Sequence, residues 1–200
     1  MLSAFESLGD NCELATVQRH YGVEAPLTLL RWAGTSYEKL LHGLRNRFNG
    51  IGDSDTTELV WGDFDYRLLT PYLNFHTAAN QPRDAAGVDE TLSCGRATLR
   101  LLRRKLLRDI ADARRIFIYK STNPTFGPAE MHQLYKALRT IGPASLLCVT
   151  LRGPSQTDAG VERLGPGLYA GSLEKFVIPN GPFDEWLALC SRTLALHCGG

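Results

Sequence analysis

The stretch from Ile116 to Leu151 constrains the fold more than any other part of this chain. Ile116-Phe117-Ile118-Tyr119 is a short run of β-branched and aromatic residues, which reads as a buried strand. Pro128 to Arg139 follows as a helix with proline in its first turn. Ser145 to Leu151 is a second apolar run. Strand, helix and strand at this spacing predict a parallel βαβ unit with a right-handed crossover.

Other segments change period. Glu58 to Trp61 and Phe64 to Leu68 flank Gly62-Asp63, the pattern of a hairpin. Tyr72 to Thr77 reads as a third strand carrying His76. Tyr37 to Phe48 and Asp89 to Ala113 place leucines at helical spacing. Leu173 to Ile178 and Phe183 to Leu196 read as a last strand and a last helix. The expectation is an α/β fold: a mixed sheet with an antiparallel hairpin and a parallel βαβ unit, helices packed on the sheet. Residues 1–200 read as one domain, with 78–88 the only plausible internal boundary.

Charge and cysteine usage narrow the function classes. There are 22 basic and 21 acidic residues, a net charge of +1, so no global field recruits nucleic acid or an anionic membrane. No run approaches 18 apolar residues, so no membrane insertion is expected. The first residues, Met1-Leu2-Ser3-Ala4-Phe5-Glu6, lack the basic and apolar regions of a secretory signal. The five cysteines are odd in number and form no C-x-x-C pair, which fits a reducing cytoplasm. No cysteine–histidine cluster has zinc spacing and no glycine-rich nucleotide loop opens a helix, so neither a metal nor a cofactor is expected.

The sharpest chemical feature is Phe5-Glu6-Ser7-Leu8-Gly9-Asp10-Asn11-Cys12-Glu13. Asp10 is the expected helix cap, with Glu13 closing a capping box. That puts Cys12 in the first turn, where free N–H groups favour a thiolate. A helix start contributes about 0.3–1 kcal/mol, less than one pKa unit, so a reactive thiol needs an imidazolium as well, and His76 is the best candidate. The flanking carboxylates of Asp10 and Glu13 oppose a thiolate unless they are turned away. Asn123, after the strand at Ile116, is the candidate group to orient the imidazole. Asp184 and Asp89 are alternatives that also read as helix caps. The backbone N–H of Cys12 and the side chain of Asn11 are the candidate oxyanion donors. Arg100, Arg104 and Arg108 share a helix face that suits a phosphate or acidic ligand, but a solvated face, partly neutralised by Asp109 and Asp112, is the favoured reading.

Ser7-Leu8-Gly9-Asp10-Asn11-Cys12 resembles the opening of a bacterial family of domains described as papain-like cysteine peptidases, the DUF1796 family. Leu29-Leu30-Arg31-Trp32-Ala33, Asn74-Phe75-His76, the basic helix Leu99 to Arg108 and Ile116 to Lys120 extend the resemblance over residues 5 to about 150. It implies Cys12 as nucleophile and His76 as its partner, acting on a peptide or another amide or ester. It also brings in a papain-like α+β arrangement as the alternative fold. Glu13 stands where well-studied papain-like peptidases often carry an aromatic residue. Such domains often occur near glycan-processing proteins. The rival expectation is therefore a non-catalytic module that binds a sugar or phosphate ligand, or an interaction domain, in which Cys12 is structural.

Overall fold

Strand β6, Ile116–Lys120, is buried along its whole length, and its alternating side chains divide the core. Ile116 and Ile118 face one apolar cluster, with Phe5, Leu147 and Trp186. Phe117 and Tyr119 face the other, with Leu106, Leu134 and Leu146. A strand buried on both faces has to be covered by helices on both sides. The computed structural model of the chain describes residues 1–10, 12–62, 65–77, 87–153, 160–176 and 183–199.

The elements run in the order β1 (Phe5–Ser7), α1 (Glu13–His20), β2 (Ala33–Gly34), α2 (Tyr37–Arg45), β3 (Glu58–Trp61), β4 (Tyr66–Leu69), β5 (Asn74–His76), α3 (Val88–Asp112), β6, α4 (Pro128–Arg139), β7 (Ser145–Leu151), β8 (Val161–Gly165), β9 (Leu168–Leu173) and α5 (Phe183–Cys198). One sheet has the order β1-β6-β7-β9-β8 and the other β2-β5-β4-β3. In the first, β1, β6, β7 and β9 run parallel and β8 is antiparallel to β9. The chain thus has an α/β fold with a mixed sheet, and β6-α4-β7 is its parallel βαβ unit. The expected hairpin, β3–β4, pairs from Glu58↔Leu69 to Trp61↔Tyr66. It lies in the second, wholly antiparallel sheet rather than in the mixed one.

The structure departs from the sequence expectation at several points; among them, α2 ends at Arg45 rather than Phe48 and β5 is confined to Asn74–His76. The last strand of the chain is Leu168–Leu173, earlier than the expected 173–178, of which 177 and 178 lie outside the described residues. Its partner β8 has no counterpart in the sequence reading, because Val161-Glu162-Arg163 is a polar edge strand with weak alternation. The expected capping box at Asp10 does not form. Cys12 is the N-cap of α1, without a side-chain capping bond, and Asp10 sits in the left-handed region at φ 71°. The expected loop over 78–88 lies almost wholly outside the described residues.

Helix α3 buries Leu99, Leu102, Leu106 and Ile110 in the larger cluster, each contributing about 1.5–3 kcal/mol. The same cluster takes Leu68 and Phe75 from the second sheet, so one apolar interior joins both sheets. Gly95 lets α3 lie against that sheet: a Cβ there would come within 2.6 Å of Leu68 Cδ1. No helix among the described residues is long and apolar enough to cross a membrane.

Glu6 of β1 is a buried acid, 3% exposed. Its nearest cations are Arg115 Nε at 3.8 Å and Lys105 Nζ at 4.0 Å. Burial pushes its carboxyl from the ordinary 4.5 up to about 7, Asp109 adding to the effect while Lys105 and Arg115 oppose it. Arg31 also faces it. The unfolded chain therefore loses this proton near pH 4.5 while the folded protein holds it to about pH 7. Folding stability falls as pH rises through that window, by roughly 3 kcal/mol from this one group. Urea unfolding at pH 4 and pH 8 is expected to show Glu6→Gln gaining stability relative to the unsubstituted protein by about that amount at the higher pH. A difference that does not change with pH would contradict it.

Candidate active site

Cys12 is delivered by a tight strand–turn–helix at the C-terminal end of a parallel strand. Leu8 N–H donates to the Ile118 carbonyl at 2.7 Å, extending the β1–β6 ladder by one bond. The chain then turns through Gly9 at φ 106° and Asp10 at φ 71°. Glycine is needed at position 9 twice over: for its dihedral, and because a Cβ would meet Thr35 Cγ2 at 2.4 Å. Thr35 Oγ1 in turn donates to the Tyr72 carbonyl at 2.6 Å. The turn that presents Cys12 is thereby pressed against the connection leaving the second sheet. The Cys12 carbonyl accepts from Thr16 N–H at 3.0 Å and opens α1.

The two carboxylates beside the thiol are held elsewhere. Lys120, at the end of β6, lies 3.0 Å from Glu13 Oε2 and 3.4 Å from Asp10 Oδ2. Trp186 Nε1 donates to Glu13 Oε1 at 2.9 Å. Lys120 and Glu13 are both buried, and the ammonium also sits 4.4 Å from the Phe176 ring centre. The capping box that would have engaged both acids does not form, and their contacts are with Lys120 instead.

His76 sits on β5, an interior strand of the second sheet. Its backbone N–H donates to the Trp32 carbonyl at 3.2 Å, and its Cα lies opposite Arg67 on β4. That register puts Asp65, two residues before Arg67, diagonal to His76 on the same face. Asp65 Oδ2 lies 2.8 Å from His76 Nδ1, and Asp65 Oδ1 accepts from Arg67 Nε at 3.2 Å. Partial burial pushes the Asp65 carboxyl up, but the bonds from His76 and Arg67 and their charges outweigh it and hold it below the ordinary carboxylate range. An Nδ1–H donated to a carboxylate fixes the tautomer and leaves Nε2 as the basic nitrogen.

Cys12 and His76 line one cavity of about 830 Å³, walled by α1, the β4–β5 pair and one face of α3. The other cysteines separate cleanly. Cys148 and Cys190 are buried, and burial pushes both thiols up, that of Cys190 to about 12. Cys198 is exposed on the last helix. Cys94 also lines the cavity. It lies in the interior of α3, where backbone N–H groups are engaged within the helix and cannot stabilise an anion.

The remaining candidates lie apart. Asn123 is not the orienting group: its Oδ1 accepts from Thr125 N–H and Oγ1 at 3.0 and 2.9 Å in a local turn, while His76 is held by Asp65. Asp184 accepts from Tyr21 Oη at 2.7 Å. Asp89 lines a separate cleft with Asp53, Asp55 and Arg100. Arg100 there faces acids of its own chain, and Arg104 and Arg108 are exposed, so the three do not meet at the Cys12 cavity. Asn11 lies outside the described residues. Asp65 escapes the sequence reading because it falls within the expected strand Phe64 to Leu68, where local pattern does not say which side chain lies across from it. The available signal was the hairpin itself, since pairing Tyr66–Leu69 with the strand ending at His76 brings Asp65 beside the imidazole. Among the described residues no group of three or more histidines, cysteines or acids is arranged to hold a metal. No family model, curated protein or solved structure matches the chain.

Proposed function

We propose that this chain is a papain-like cysteine hydrolase, an amidase, peptidase or acyltransferase of a reducing cytoplasm, that uses Cys12, His76 and Asp65. The observation that carries the reading is the shared cavity of Cys12 and His76, with Asp65 bonded to the far nitrogen of the imidazole. The resemblance of Ser7 to Cys12 to the DUF1796 family supports it as well. Cys12 Sγ attacks the carbonyl carbon of an amide or ester. The backbone N–H of Cys12, at the helix start, faces the developing oxyanion. The His76 imidazolium protonates the leaving amine or alcohol, leaving a thioester on Cys12. His76 then takes a proton from water or an acceptor alcohol, whose oxygen attacks the thioester and frees the thiol.

Iodoacetamide labelling followed by mass spectrometry tests the pair. At pH 6.5, Cys12 is expected to label at least about tenfold faster than exposed Cys94 and Cys198. His76→Ala and Asp65→Asn are both expected to slow Cys12 alone. Labelling of Cys12 no faster than of Cys198, and unaffected by either substitution, would make it a packing residue at a helix start.

A further inference from the structure

The cavity is far larger than a thiol and an imidazole need, and its other walls say what fills it. Leu68 and Phe75 contribute to its sheet side, Trp32 and Leu27 add further apolar surface, and α3 presents Thr91, Cys94, Gly95 and Thr98. Leu68 and Phe75 are buried in the apolar interior, so this wall is fixed by the core rather than by mobile surface groups. The two fully charged side chains of the lining, Arg19 and Glu90, have opposite sign. The Arg19 guanidinium carbon lies 4.7 Å from the Trp32 ring centre, and its aliphatic stem adds to the apolar surface. A volume of about 830 Å³ lies in the range of small-molecule sites. It carries no excess charge to recruit a phosphate or a polyanion.

We infer that the cavity is an acyl pocket: the substrate is an amide or ester of an uncharged apolar acyl group, whose chain lies along Phe75, Trp32 and Leu27 with its carbonyl at Cys12. This rests on the proposed hydrolase reading for the placement of the carbonyl, but occupancy by an apolar chain is a property of the walls alone.

The test separates binding from turnover. Isothermal titration of Cys12→Ala with neutral N-methyl amides of acetic, butyric, hexanoic and octanoic acid reads the pocket without chemistry. Affinity is expected to rise by about threefold to fourfold per methylene until the pocket is full. Cys94→Trp and Thr98→Phe, which place bulk on the α3 wall, are expected to end the rise at a shorter chain. Hydrolysis of the matching p-nitrophenyl esters by the unsubstituted protein is measured in parallel. A rising affinity with no turnover supports the acyl pocket and removes the hydrolase. Turnover with an affinity independent of chain length, or a rise unchanged in both wall variants, overturns the acyl pocket and leaves the hydrolase standing.

Discussion

Exchange of Cys12 for alanine is expected to lower hydrolysis of a short-chain p-nitrophenyl ester by about a thousandfold or more, with the melting temperature almost unchanged. The loss is large because, among the described residues of the cavity, only Cys12 offers a thiol at a helix start. Cys94 is the internal rival. It shares the cavity, but it lies within a helix whose amides are spent on helix bonds. Stability should survive because the Cys12 side chain makes no capping bond to α1 and is only partly buried. His76→Ala is expected to cost about 10²–10⁴-fold, the usual worth of a positioned acid–base. Steady-state kinetics on both variants, beside Cys94→Ser, distinguish the roles. Full activity in Cys12→Ala would place the chemistry elsewhere, and loss in Cys94→Ser alone would place it on α3.

The largest effect on stability is expected at Lys120. Its ammonium is 4% exposed and lies against Glu13, which is 5% exposed. Removing one member of such a pair strands the other charge in the interior, at a cost of about 3–5 kcal/mol. Lys120→Met should therefore lower the melting temperature by roughly 10 °C in a chain of this size. Glu13→Gln added to Lys120→Met should recover much of the loss, since the amide keeps an acceptor for Trp186 Nε1 without the charge. A double variant no more stable than Lys120→Met would show that packing, not the stranded carboxylate, sets the cost. Lys120 also holds Asp10, so the single variant should label more slowly at Cys12, linking this interior pair to the site.

Local pattern carried far in this chain. Helix α4 runs over Pro128–Arg139 and strand β7 over Ser145–Leu151, both as the periodicity predicts. The leucine stripe of α3 is buried as its spacing requires. These elements are legible because burial repeats within the element itself, every second residue in a strand and every third or fourth in a helix. The polar edge strand β8 was not legible, because an edge strand facing water has no such repeat.

The site divides along the same line. Cys12 and His76 could be named from residue type and local setting: a thiol after Gly-Asp-Asn and a histidine at a strand end. Asp65 could not, nor could Lys120 as the partner of Glu13, 107 residues away in the chain. Sequence by itself determined the βαβ unit and the amphipathic helices and singled out Cys12 and His76 as candidates, since each depends on neighbours within a few residues. Only the tertiary structure decided that the hairpin forms a second sheet, that this sheet places His76 on the cavity that Cys12 also lines, and that Asp65 rather than Asn123 holds the imidazole. Those choices depend on strand register and on a shared interior, which no local pattern records.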